Sequence, residues 1–331
     1  MFLGLIVAVA LLAVFLSGVD GPALFGALRT VNVWWLLFGS VLILIEWVAR
    51  GLRWWVLLRG VDDEGPGAMI SATLAGAAAN TLIPLRGGDI LRPAMLSLRR
   101  DVPFAAAVSS TVIDRLFDLA GVVLLLVALD FTLPARAETS VALGHLRMAV
   151  HGAVGGGLFL VLLIVVAVTA PAREIAVSTL SRLPSKRLAE RAVKVFDQVV
   201  EGVIVAGKPS RLLAATLLTV VVWVCAVGAA EATHRSIGLH LPVSAAILVV
   251  VTVNLAVSVP QGPGFVGVFQ VAVEQALSLF SAPKGASQAV AILFWAVSFV
   301  PVTAIGAFEA WRQGIKLSGG APPAEPPSPA H

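Results

Sequence analysis

The chain has 331 residues, of which 58% are hydrophobic and 13% charged, with a net charge of +4. Soluble globular chains carry roughly 25% charged residues, so a water-soluble fold is excluded. The single cysteine, Cys225, rules out an intrachain disulfide and a thiolate metal site, and a net positive charge residing in loops reports membrane orientation before nucleic-acid binding.

Residues 2–16 form an apolar run with no basic segment before it and further runs after it, a pattern that predicts a first membrane helix over 2–19 and not a cleaved signal. Since about 20 apolar residues cross the hydrocarbon, the remaining runs predict full spans near 33–50, 104–129, 150–170, 211–232 and 288–308. Trp34, Trp35, Trp54, Trp55 and Trp311 stand near run ends, where amphipathic rings anchor at the headgroup level. Two stretches do not fit as ordinary spans. Residues 66–100 are apolar as far as Ile83 and break at Pro84, Gly87 and Gly88; residues 242–280 are apolar as far as Val259 and break at Pro260, Gly262, Pro263 and Gly264. Each is expected to enter and leave on its own side as a re-entrant hairpin, which is allowed where the broken backbone is buried in protein or lines a wet cavity.

With both termini in the cytoplasm, Arg29, Arg136, Arg147, Arg235 and Lys284 fall outside, Arg115 falls within a span, and the other Lys and Arg lie on the cytoplasmic side. The expected fold is all-α: a polytopic membrane protein with about six full transmembrane helices and two re-entrant hairpins. The unit of span, broken hairpin and span then occurs twice, at 33–129 and 211–308, entering from opposite faces as an inverted repeat. Paired Pro/Gly-interrupted segments in two such halves mark a binding site at the repeat interface. Between the halves, residues 185–206 place Leu188, Ala192, Val195, Val199 and Val203 on one stripe with Lys186, Arg187, Arg191 and Lys194 elsewhere. This cytoplasmic helix either senses anionic lipid or packs on the membrane domain, which ends near residue 310. The tail at 311–331 has too little apolar surface to fold.

The chemistry concentrates at the breaks. In residues 80–92, Asn80 precedes the break, and Arg86, Gly87, Gly88, Asp89 and Arg92 surround a helix start, where free amides and planar guanidinium forks suit a phosphate. The alternative is a tight turn whose arginines pair with Asp89 and interfacial lipid. Asp114, Arg115 and Asp118 lie inside a span, where ionisable groups must face the interior and pair; they form a structural clamp, a substrate contact or a proton relay. Glu46, Arg50 and Arg53 share one helical face, lining the same interior or snorkelling to the interface. In the second break, Gln261, Gly262, Gly264 and Gln270 again open a helix, with Glu274 one turn further on. A neutral amide beside a lone carboxylate suits binding more than acid/base work. No nucleophile and base, metal-ligand cluster or Walker-type loop is present, so neither a cofactor nor a metal is expected. His145, His151, His234 and His240 read as interfacial residues.

Arg53-Trp54, then Asn80 to Pro84 with Arg86-Gly87-Gly88-Asp89 and Arg92, then Asp114-Arg115 to Asp118, then Pro260 to Gln270 together resemble the lysylphosphatidylglycerol synthase transmembrane family, also described as flippase-like domain proteins. The resemblance covers about residues 1–310. It implies movement of a lipid between leaflets of a bacterial inner membrane. In the best-known members the membrane domain is fused to an aminoacyltransferase; no such domain is expected in this chain, so synthase activity is not carried over. Other relatives serve polyprenyl-linked sugars or glycolipids. The implied partners are lipids with phosphate headgroups and a separate aminoacyltransferase or glycosyltransferase. A carboxylate is frequent in the family near Gln270, and the amide here weakens any charge role at that position. Two other readings stay open: a membrane-embedded transferase acting on a lipid phosphate, and a proton-coupled transporter of a soluble anion.

Overall fold

The structure, a computed structural model, describes residues 15, 21–59, 65–83, 88–100, 104–133, 148–156, 170–181, 186, 189–190, 193, 197, 208–258 and 262–314. Among them there is no β-strand. The elements that position the site are α1 (Gly21–Arg29), α2 (Val33–Leu58), α3 (Pro66–Leu82), α4 (Gly88–Arg100), α5 (Phe104–Thr132), α6 (Ala170–Leu180), α7 (Pro209–Ser236), α8 (Val243–Ser258), a 3-10 turn at Pro263–Phe265, α9 (Val268–Ser278) and α10 (Lys284–Arg312).

Three of these, α2, α7 and α10, are long and apolar enough to cross a membrane. At 1.5 Å per residue each reaches roughly 40 Å, against about 30 Å of hydrocarbon. Helix α5 is as long, at 29 residues, and carries Asp114, Arg115, Asp118 and Asp130. The spans expected at 2–19 and 150–170 and the linker at 185–206 fall largely outside the described residues, and of the tail expected at 311–331 only 311–314 are described, with α10 running on to Arg312.

Local chemistry sets the helix ends. Asn32 caps α2 by accepting from the Trp34 amide at 3.0 Å, and prolines open α3 and α7 at their first turns, where a missing N–H costs nothing. Helix α2 does not stop near residue 50 as expected. It runs on to Leu58, because Arg50 and Arg53 find carboxylates inside the protein and have no need of the interface. The expected anchors divide accordingly: Trp34 and Trp311 are exposed, whereas Trp54 is wholly buried and donates its indole N–H to Ser110 at 2.9 Å.

Helices in lipid gain little from burying apolar surface against each other, so close approach depends on small residues. Helices α2 and α7 pack along their length, with Gly39 of α2 against Ala229 and Ala232 of α7. Helix α3 lies on α10 at Gly306, where an added Cβ would fall 2.0 Å from the Leu74 carbonyl oxygen. Helix α8 packs on α5, α7 and α9, and α9 on α10. Helix α3 thus rests on α10 and α8 on α5, while α2 and α7 pair. The core runs through Leu129, Val222, Trp223, Ala229, Ile247 and Phe269.

At the first break, residues 84–87 lie outside the described set, and α4 starts at Gly88, whose amide donates to Asn80 Oδ1 at 2.8 Å. A Cβ on Gly88 would sit 1.8 Å from the Gly76 carbonyl oxygen, so the two limbs touch at the backbone. The second break keeps its shape through left-handed residues: Gly264 at φ +72°, Phe265 at +56° and Gly267 at +89°. The Gln270 side chain accepts from the Gly267 amide at 2.7 Å, and the Trp295 indole donates to the Gly264 carbonyl at 2.7 Å.

Candidate functional site

A single ionic network joins α2, α4, α5 and α7. Arg53 is fully buried. Its Nε donates to Asp114 Oδ1 at 2.8 Å, its Nη2 to Asp118 Oδ1 at 2.6 Å and to the Asp114 carbonyl at 3.3 Å, and its Nη1 to Thr219 at 3.0 Å. One turn earlier, Arg50 gives Nη1 to Asp118 Oδ1 at 2.7 Å and Nε to Glu46 Oε1 at 3.0 Å. Arg115 reaches Asp118 Oδ2 at 3.3 Å. Arg92 closes the set from α4, with Nη1 3.4 Å from Asp114 Oδ2, Nη2 donating to Thr73 at 3.2 Å, and its guanidinium 4.5 Å from the Trp54 ring centroid. Burial of this many charges is tolerable because each faces an opposite charge.

Part of that network opens onto a cavity of about 170 Å³ lined by residues of α2, α3, α5, α7, α8, α9 and α10. Glu46, Trp47 and Arg50 of α2 and Arg115 and Asp118 of α5 form its charged wall. Facing it are Phe265 from the second break, Phe269 of α9, and Phe294 and Phe299 of α10. Phe265 stacks on Phe299 with centroids 5.4 Å apart. Two amides complete the lining, Asn80 beside the first break and Asn254 four residues before the end of α8. A cationic fork, carboxylates, amides and ring faces in one partly closed space can hold a charged, hydroxyl-bearing group while apolar tails stay outside.

Of the residues singled out in the sequence, Glu46, Arg50, Asn80, Arg115 and Asp118 line this cavity, while Arg53, Arg92 and Asp114 stand behind it as the buried part of the same network. Arg53 is therefore no interfacial snorkel: its ion pairs hold α2 to α5 and its bond to Thr219 reaches α7. Gly262, Gly264 and Gln270 shape the second break, with Gln270 turned onto its own backbone. Glu274 points away to Gln288, 3.5 Å distant. Arg86, Gly87, Gln261 and the side chain of Asp89 lie outside the described residues. His234 is wholly buried within the protein at the end of α7, with Nδ1 3.8 Å from Glu231 Oε2. Thr219, Trp47 and the phenylalanines went unnoticed in the sequence. Within runs where almost every residue is apolar, periodicity has nothing to single them out.

No group of three or more metal-ligating side chains occurs among the described residues.

Fold and site together define an all-helical, membrane-spanning protein with an internal ionic cavity. The chain belongs to the family described as the lysylphosphatidylglycerol synthase TM region, which matches residues 1–306. It is also similar to Glycosyltransferase AglD of Haloferax volcanii, with 26% identity over 293 residues, covering 81% of this chain and 47% of that protein. The chain thus spans about half the length of this curated relative. No solved structure matches it significantly.

Proposed function

We propose that this protein is a lipid flippase, moving an anionic phospholipid or a lipid-linked polyprenyl-phosphate or glycolipid between the leaflets of a bacterial inner membrane, with both termini in the cytoplasm. The observation that carries this is the cavity, where Arg50 and Arg115 face ring walls and amides at the junction of two broken segments. The lipid phosphate would sit against Arg50 and the chains would remain in the bilayer. Rocking of the halves would open the site to each leaflet in turn. The reciprocal packing, with α3 on α10, α8 on α5 and α2 on α7, supports an inverted repeat over 33–129 and 211–308. A separate aminoacyltransferase or glycosyltransferase would supply the cargo.

A second reading, a membrane-embedded transferase, draws on the name of the relative, which describes a protein of about twice the matched length. Against it, Asp114 and Asp118 are both tied into arginine pairs, which leaves neither poised as a base. Reconstitution into liposomes holding a fluorescent phosphatidylglycerol in both leaflets separates the two. A flippase makes the inner-leaflet dye accessible to an external quencher, and the lipid recovered has unchanged mass. A dye pool that stays as protected as in empty vesicles contradicts the flippase, and a conjugated product establishes the transferase.

A further inference from the structure

We propose that Glu46 is the proton-carrying group of the cavity: a lipid phosphate takes Arg50 from it, the displaced carboxylate binds a proton, and headgroup and proton occupy the site together. The inference rests on the headgroup reading of the cavity and adds its coupling ion.

The two carboxylates that hold Arg50 are unequal. Asp118 also receives Arg53 at 2.6 Å and Arg115 at 3.3 Å, so it stays compensated when Arg50 turns away. Glu46 is buried, lines the cavity and has Arg50 as its ion-pair partner. The other groups around it offer no substitute. On its own helix Arg53 is committed to Asp114, Asp118 and Thr219. Across the cavity α5 presents Asp118 and, already on it, Arg115. Helix α7 contributes the thiol of Cys225, α3 the uncharged Asn80 and Thr81, α8 Asn254, and α10 Ser298.

A phosphate on Arg50 therefore leaves Glu46 as a buried carboxylate without its ion-pair partner and beside a second anion. A group in that position neutralises by taking a proton. The proton comes from water on the side to which the cavity is open and adds to the Glu46 carboxylate. When the headgroup leaves, Arg50 returns to Glu46 and the proton goes back to water. A headgroup with one negative charge then crosses with one proton and no net charge, so a pH difference drives it and a membrane potential does not. In the empty protein Glu46 serves as the internal stand-in for the phosphate.

The test is binding of dihexanoyl phosphatidylglycerol to the full chain in detergent across pH 5.5 to 8.5, a range in which its phosphodiester does not titrate. Wild type is expected to lose up to about tenfold in affinity per pH unit on the alkaline side, and to take up about one proton per lipid bound when mixed in weak buffer with a pH dye. Glu46→Gln is expected to bind with no pH slope and no proton uptake, and more tightly than wild type at pH 8. Binding by wild type with no slope and no proton uptake overturns the proposal while leaving the headgroup site intact. A slope that survives in Glu46→Gln removes Glu46 as the carrier. Absence of binding at every pH refutes the headgroup site itself. Proton uptake is measured on wild type, so the proposal stays testable even where Glu46→Gln fails to fold.

Discussion

Arg53 carries the largest structural share of the ionic network, and Arg53→Met isolates it by keeping the apolar stem and deleting the guanidinium. The change removes the 2.8 Å pair to Asp114, the 2.6 Å pair to Asp118 and the 3.0 Å bond to Thr219. Asp118 keeps Arg50 and Arg115, but Asp114 is left with the longer 3.4 Å contact to Arg92. Removing one partner of a buried pair costs about 3–5 kcal/mol because the other stays charged and uncompensated. At ~2–4 °C per kcal/mol for chains of a few hundred residues, the unfolding midpoint falls by roughly 10 °C. Fluorescence-detected thermal unfolding in detergent measures this. The double variant Arg53→Met with Asp114→Asn recovers about half of the loss, since the stranded charge is gone. A loss of less than about 1 kcal/mol, or a double variant worse than the sum of the singles, refutes the assignment of Arg53 as the strut between α2 and α5.

Arg50 should behave oppositely. Arg50→Gln leaves Asp118 paired twice and lets Glu46 neutralise by taking a proton, so it is expected to cut lipid translocation at least tenfold while lowering the midpoint less than Arg53→Met does. Gly306→Ala and Gly88→Ala each force a methyl into a backbone carbonyl; both should destabilise by about 2 kcal/mol or more, whereas Gly67→Ala, which meets open space, should stay within ~0.5 kcal/mol of wild type in the same melts. Gly264→Ala imposes a side chain at φ +72° and should cost about 1–2 kcal/mol. If that variant melts with wild type, the left-handed geometry of the second break is wrong.

The membrane class and the two breaks were legible because hydropathy and Pro/Gly placement are local properties of the chain. The end of α2 was not. Arg50 and Arg53 look like interfacial charges until Asp114 and Asp118 arrive from a helix more than 60 positions away. The same distance hid Trp54, which has the composition of an anchor and the environment of a core residue. Arg92 sits beside the glycines in the sequence, and its guanidinium reaches Thr73, Asp114 and the face of Trp54, partners that lie on other helices. Gln270 has the chemistry to bind a ligand, yet its side-chain oxygen accepts from the backbone amide of Gly267 at 2.7 Å. The aromatic wall is the part that no pattern could supply, because Phe265, Phe269, Phe294 and Phe299 come together only when α9 and α10 fold over the second break.

The central claim is that one lipid headgroup occupies the cavity from both halves at once. With Cys225 replaced by alanine, single cysteines at Thr81 of α3 and Asn254 of α8 report on the two sides, and one at the exposed Gly67 serves as reference. Added dihexanoyl phosphatidylglycerol is predicted to slow labelling of both cavity cysteines by a small charged thiol reagent, with the same concentration dependence, and to leave position 67 unchanged. Unaltered labelling at both, or protection on one side alone, contradicts a shared headgroup site.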